Sequence, residues 1–178
     1  MKFLICVDMQ KDFTTGSLAN EKAQAIAPKI SDYMKSFNGI IICTRDTHSS
    51  DYLETQEGKL LPIEHCIQGT DGWYICPEIM EAVQQLNANG NSVYAFNKPT
   101  FGYASELAKF INNFKAPITE IIFCGTVTSI CVVSNVLGLK EQFPETKISV
   151  ISDLCADLTD ENHNAALAVM KACQVNVI

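Results

Sequence analysis

With 178 residues, 47% of them apolar and 19% charged, the chain can bury one sizeable core and suits one domain better than two. Its formal net charge of −7, with no lysine or arginine cluster, would repel phosphate backbones and anionic lipid surfaces, so neither nucleic acid nor membrane is an expected partner. No apolar run approaches membrane-spanning length, and only FLICV stands between Lys2 and Asp8, too short for the apolar region of a signal peptide; a cytoplasmic location is expected.

Short apolar runs begin with KFLICVD at 2–8, GIIICTRD at 39–46, SVYAFNK at 92–98 and EIIFCG at 120–125. KISVISD at 147–153 and QVNVI at 174–178 follow. Between them lie helical stretches expected at about 21–37, 78–88, 103–113, 129–142 and 160–172, each long enough to cross back over a sheet. Continuous apolar runs suit strands covered on both faces. The pattern is βαβ repeated, an α/β Rossmann-like three-layer sandwich with a mostly parallel six-stranded sheet and right-handed crossovers, all within one domain spanning 1–178. Eight cysteines, at 6, 43, 66, 76, 124, 131, 155 and 173, are scattered with no CxxC pair, several inside apolar runs. They read as reduced small hydrophobes, not as a disulfide framework.

One stretch fits neither period. TRDTHSSDYLETQEGKLLPIEHC, 44–66, holds two of the three histidines and five of the twenty acidic residues. Taken alone, such a segment is a solvated loop. In an open parallel sheet, however, the ligand site lies beyond the carboxyl ends of the strands. Asp8 ends the first strand, Asp46 and His48 the second and Lys98 the third, and the turn CGTVTSIC leads from the fourth into a helix. Chemically capable residues thus converge on one edge from four strands.

Cys131, in the first turn of the helix after FCGTVTSIC, is the best placed nucleophile, because a helix N-terminus favours a thiolate. A buried packing residue is the plain alternative. Cys66, beside His65, is its rival, although neighbours in sequence seldom have the required side-chain geometry. A nucleophilic thiol needs a base, and a buried carboxylate beside a lysine serves. Asp8 and Lys98 fit, whereas no histidine ends a strand next to the cysteine turn. Singly, Asp8 reads as a turn cap and Lys98 as a surface charge. His163, in DENHNAAL, reads as a helix-surface residue without a role.

These residues together resemble the isochorismatase-like cysteine hydrolases, and within them the nicotinamidases, over nearly the whole length. ICVDMQKDF at 5–13 is similar to the opening strand with its catalytic aspartate, Asp8; NKP at 97–99 supplies Lys98, and GTVTSICV at 125–132 is similar to the nucleophile turn with Cys131. The resemblance implies a cis peptide between Thr126 and Val127, and an oxyanion hole from the backbone N–H groups of Val127 and Cys131. It also accounts for the polar stretch. RDTH and EHCIQGTDGW repeat a divalent-metal layout in which Asp46, His48 and His65 are ligands. Glu57 of EGKL is the fourth candidate and Glu54 a weaker substitute. One carboxylate and two imidazoles suit zinc, iron or manganese. Isochorismatases proper lack this set, so the likeness favours the amidase branch.

Three departures surround the pocket and not the triad: Ser129 where relatives often carry aspartate, Leu61 where they often carry an aromatic, and PIEH in place of Pro-Pro-His. They bear on substrate more than on mechanism. Phe13, Trp73 and Tyr103 are candidates to line a pocket for a flat ring, though aromatic residues also serve as core. The expected activity is hydrolysis of a small carboxamide, foremost nicotinamide, by a Cys-Asp-Lys triad through a thioester. Another small amide or a ureido compound is the alternative substrate, and a non-catalytic metal or redox sensor the alternative class. Expected partners are a small-molecule amide and, at most, further copies of the chain as a homo-oligomer.

Overall fold

A computed structural model describes residues 1–178. Six strands form one sheet: β1 (Lys2–Val7), β2 (Ile40–Asp46), β3 (Val93–Lys98), β4 (Glu120–Thr126), β5 (Lys147–Ala156) and β6 (Asn176–Val177). Their order is β3-β2-β1-β4-β5-β6 and every pairing is parallel. The α-helices are α1 (Lys11–Thr14), α2 (Glu21–Ser36), α3 (Gln56–Leu60), α4 (Pro77–Ala88), α5 (Ala104–Ile111), α6 (Val133–Gln142) and α7 (Asp160–Ala172). No helix is long and apolar enough to cross a membrane.

β1 shows why its apolar run is unbroken. Phe3, Ile5 and Val7 enter a core shared with α5, α6 and α7, while Leu4 and Cys6 enter a second core with α2 and α4. Alternate side chains of one strand therefore feed two cores, and each face is buried. On α2 the buried residues Ala23, Ile26, Ala27, Ile30 and Met34 follow the three-and-four spacing of one helix face. The strand order reverses between β1 and β4, which puts a crevice at the carboxyl ends of those two strands. Gly125 lets β4 run close there: its φ is +120°, and a Cβ would lie 2.1 Å from the Val7 carbonyl oxygen.

Two strands depart from expectation. β5 continues past Asp153 to Ala156, because the chain resumes pairing with β4 at Cys155 and Ala156 after a register shift between Phe123 and Gly125. The polar Ser152 and Asp153 mark that irregularity, not an end. β6 is shorter than 174–178: Asn176 and Val177 pair with Ser149 and Val150 of β5, and Ile178 adds backbone hydrogen bonds to Val150 and Ser152.

At the opposite edge of the sheet Glu120 ties three strands. Its carboxylate accepts from Ser149 Oγ at 2.7 Å and pairs with Lys147 at 2.9 Å and Lys2 at 3.3 Å. Burial alone would raise this carboxyl; the Ser149 hydroxyl and the two ammonium groups outweigh it and lower it. A lowered folded pKa means stability present above the unfolded value of about 4.3 and lost as pH falls through the folded one. Both lysines are half exposed, so screening limits the contribution to about 1 kcal/mol. Glu120→Gln is expected to lower unfolding free energy by about that much near neutrality. The difference should shrink towards zero below about pH 4, as read by urea denaturation at both pH values; an unchanged difference at low pH would count against the charged clamp.

Candidate active site

Asp8, Lys98 and Cys131 reach one point from three strand ends. Asp8 follows β1 with φ 51°, in the left-handed region that aspartate tolerates better than most residues. Thr44, on the neighbouring strand, donates to Asp8 Oδ1 at 2.7 Å. The other carboxylate oxygen meets Lys98 Nζ at 2.7 Å as an ion pair, with no donor aligned on it for a hydrogen bond. Lys98 ends β3 opposite Asp46 in the β2 register and is fully buried. Its ammonium lies 3.4 Å from Cys131 Sγ and 3.3 Å from Asp46 Oδ1, and donates to the Thr100 carbonyl at 3.2 Å.

The charges of these groups depend on one another. Burial pushes the Asp8 carboxyl up and Lys98 counters it, leaving it raised. Burial alone would push Lys98 down, but Asp8, the Cys131 sulfur and Asp46 hold it well above the ordinary lysine range. Burial and the Asp8 charge push the Cys131 thiol well up, against the pull of Lys98. The thiol thus keeps its proton until an acceptor takes it, and the acceptor beside it is a carboxylate of raised basicity.

This corrects one expectation. Cys131 is not in the first turn of an α-helix favouring a free thiolate; it lies in a π-helical turn, Thr128–Val132, and α6 begins only at Val133. The peptide between Thr126 and Val127 is cis. The Val127 N–H donates to no group of the protein, and Val127 and Cys131 both border the cavity.

The polar stretch 44–66 is ordered around four donors. Asp46, His48, Glu57 and His65 each offer one ligand atom, all within 4.8 Å of one another. His48 Nε2 is 3.0 Å from Asp46 Oδ2 and 3.8 Å from Glu57 Oε1; His65 Nε2 is 3.6 and 4.0 Å from the same two atoms. Ligands of one tetrahedral zinc, at about 2.0–2.2 Å, lie roughly 3.4 Å apart, so this nitrogen and carboxylate set fits a divalent ion. His65 Nδ1 faces the Ile63 carbonyl at 2.9 Å, which fixes its ring with Nε2 towards the cluster. The two histidines are brought together by backbone: His48 N–H donates to the Cys66 carbonyl, and Gln68 N–H donates to that of His48. Tyr52, fully buried, packs its ring 4.6 and 4.9 Å from the two imidazoles. Thr55 caps α3 through the Gly58 N–H, which sets Glu57 in the first turn.

The cavity joining both clusters measures about 690 Å3 and is bordered by Asp46, Glu57, His65 and Cys131, with Phe13 on its wall. A model of the isochorismatase domain matches residues 2–178. The chain belongs to the isochorismatase family. Among solved structures it is similar to a nicotinamidase from Bacillus subtilis, with 25% identity, TM-score 0.85, and 99% of this chain and 98% of that one covered. A pyrazinamidase/nicotinamidase from Streptococcus mutans is 24% identical over both full lengths, with TM-score 0.84. A pyrazinamidase from Pyrococcus horikoshii in complex with zinc is 23% identical, with TM-score 0.80 over 99% of this chain and 98% of that one. No curated protein matches the sequence significantly.

Within this isochorismatase-family site, several candidate residues fall elsewhere. Trp73 and Tyr103 do not border the cavity. Trp73 packs with Phe13 and Cys66 and donates to Thr47 Oγ1 at 2.9 Å; Tyr103 packs against the core at the start of α5. Phe101, Ile130 and Leu158 border it instead. Cys66 is buried among apolar side chains, burial pushing its thiol far up, and Glu54 is not among the four donors. His163 has a contact after all, its Nδ1 lying 2.9 Å from Thr128 Oγ1 in the turn that carries Cys131.

Four positioning residues are not among the candidates read from the sequence. Thr44 orients Asp8. Gln10 accepts from Asp46 N–H at 2.7 Å and donates to the carbonyls of Asp46 and Trp73, clamping the end of β2. Asp12 accepts from Cys66 N–H at 2.7 Å, holding the residue after His65. Buried Asp157 accepts from Ser129 N–H at 2.6 Å, holding the turn that carries Cys131 from the end of β5. For Gln10 and Asp12 the polar letters of DMQKDF, directly after an apolar strand, were the available clue.

Proposed function

We propose that the protein is an amidohydrolase that converts nicotinamide to nicotinate and ammonia in pyridine nucleotide salvage in the cytoplasm. The observation that carries this reading is the meeting of Cys131 with Lys98 and Asp8 at one end of a cavity that the Asp46, His48, Glu57 and His65 cluster also borders. Two of the three similar structures are named as nicotinamidases, which supports this substrate.

Cys131 Sγ attacks the carboxamide carbon as its proton passes to Asp8. The developing oxyanion is held by the N–H groups of Val127 and Cys131. Lys98 stays charged throughout and stabilises both the sulfur and the carboxylate. Asp8 then gives the proton to the departing nitrogen, ammonia leaves, and a thioester remains on Cys131. Water, deprotonated by Asp8, attacks the thioester and releases the carboxylate and the thiol.

Asp46, His48, Glu57 and His65 would hold a divalent metal, with zinc, iron and manganese all suited to the donor set. When bound, the metal supplies a Lewis-acid contact for a ring nitrogen, directly or through its water. The reading is tested by ammonia release from nicotinamide, pyrazinamide and a set of ureido compounds. Turnover of nicotinamide is expected, and turnover of ureido compounds alone would replace this substrate with the other.

Removing the metal gives a second check. Benzamide has the ring size and the amide of nicotinamide but no ring nitrogen, and leaving a site's polar group unpaired reduces specificity by orders of magnitude. Nicotinamide is therefore expected to exceed benzamide by at least about 10²-fold in kcat/KM, and His48→Ala or chelation should shrink that ratio by slowing nicotinamide selectively. Equal discrimination by the metal-free protein would make the cluster structural.

A further inference from the structure

The cavity around Cys131 is larger than the chemistry requires, and its surplus wall is apolar. A volume of about 690 Å3 falls among sites for drug-sized ligands, while one ring with one carboxamide fills only a part of it. Leu60 is 79% exposed, Leu158 62%, Phe101 44% and Leu61 37%, yet all four border this single cavity. They come from three separate segments: the end of α3, the loop after β3 and the loop after β5. Single exposed leucines are ordinary on a protein surface, but convergence of this kind marks a binding wall.

Each segment is also pinned. Leu61 N–H donates to the Glu57 carbonyl, and its own carbonyl accepts from Tyr52 Oη at 3.0 Å. The Phe101 carbonyl accepts from Asn135 Nδ2 at 3.0 Å. Asp157 accepts from Leu158 N–H at 2.8 Å and, with its other oxygen, from Ser129 N–H. The apolar wall is thereby fixed relative to the nucleophile turn and preformed for a ligand.

The proton route decides which side of the substrate meets this wall. Asp8 and Lys98 are fully buried and lie behind Cys131, which borders the cavity. The leaving nitrogen takes its proton from Asp8, so it faces the buried end beside Asp8 and Lys98, away from the exposed apolar rim. The surplus volume is left to the acyl side.

We propose that the enzyme acts on primary carboxamides of a heteroaromatic ring bearing an apolar substituent, which lies against Leu60, Leu61, Phe101 and Leu158. This rests on the amidase reading above and narrows its substrate class. A methylene moved from water to an apolar wall is worth about fourfold in binding, and about twofold or more is expected at a half-open mouth.

The test compares kcat/KM of the metal-loaded enzyme for nicotinamide and for its methyl, ethyl and propyl derivatives substituted at ring position 5 and, separately, at position 6. In one of the two series kcat/KM should rise about twofold or more per carbon, through KM. Leu158→Ser and Leu60→Ser, made separately, should bring the propyl-to-nicotinamide ratio back towards one, with N-propyl nicotinamide a poor substrate throughout. Turnover of nicotinamide with both series flat or falling overturns this inference and leaves the amidase reading standing. So does a flat result in which the rim variants instead change the oligomeric state in sedimentation, which would make the wall an interface between copies. No turnover of any carboxamide overturns the amidase reading itself.

Discussion

Cys131→Ala is expected to abolish ammonia release, by on the order of 10³-fold or more, while the protein stays folded. In the proposed mechanism the thiol is the atom that bonds to the carbonyl carbon, so its loss would leave only binding and the oxyanion donors. The fold should tolerate the change. Deleting one sulfur in contact with Lys98 leaves that ammonium its partners Asp8 and Asp46, and a loss of about 1 kcal/mol is ordinary for such a truncation. Near-full activity in this variant, with unchanged unfolding, would sink the nucleophile assignment.

Alkylation supplies an independent readout of the same residue, and the structure alters what it should show. From the sequence, Cys131 would be the first of the eight cysteines labelled, on thiolate fraction. Burial pushes its thiol well up instead, and Cys173 is the one exposed cysteine. Brief iodoacetamide treatment should therefore label Cys173 without effect on turnover. Inactivation should follow the slower labelling of Cys131, the only cysteine that borders the cavity. Cys173→Ser should leave the inactivation rate unchanged, and activity lost in step with labelling at another buried cysteine would move the nucleophile there.

What the sequence disclosed follows physical range. β1, β2 and β4 were readable because strands buried on both faces need unbroken apolar runs, and a charge at the end of such a run is conspicuous. Asp8, Asp46 and Lys98 are charges of that kind, and the parallel sheet itself places their Cα atoms on one edge. The nucleophile turn and the ligand spacing were readable through resemblance, not through periodicity. Side-chain destinations were not. Nothing local to Trp73 states that its indole N–H reaches Thr47, nor do the letters near Tyr103 state that the start of α5 lies on the core. Asp157 and Ser129 are 28 residues apart, and Gln10 and Trp73 are 63 apart; such pairings arise only when loops from different strands fold over the same edge. The extent of β5 was hidden for a similar reason, since its irregularity serves pairing with β4 and places two polar residues inside a strand.

Asp8 and Lys98 allow activity and stability to be pulled apart, which gives the second large effect. In the proposed mechanism Asp8→Asn removes the proton acceptor and Lys98→Met the charge that stabilises thiolate and carboxylate, so each should lower kcat/KM by about 10²- to 10⁴-fold. Both act on one proton transfer at one sulfur, and the double variant should be no worse than about the slower single one. Stability should order differently. Lys98→Met leaves the fully buried Asp8 carboxylate without its cation, and breaking a buried pair in this way costs about 3–5 kcal/mol. Asp8→Asn is milder, because Lys98 keeps Asp46 at 3.3 Å and Thr44 keeps a partner of the same shape. In the double variant no uncompensated Asp8 charge remains, and a buried pair replaced by neutral groups of similar volume is often close to neutral. The double variant is therefore expected to unfold at a higher denaturant concentration than Lys98→Met alone while recovering no activity. Multiplicative rate losses would show two independent catalytic functions, and a double variant less stable than Lys98→Met would show that the pair is not what holds this end of the sheet together.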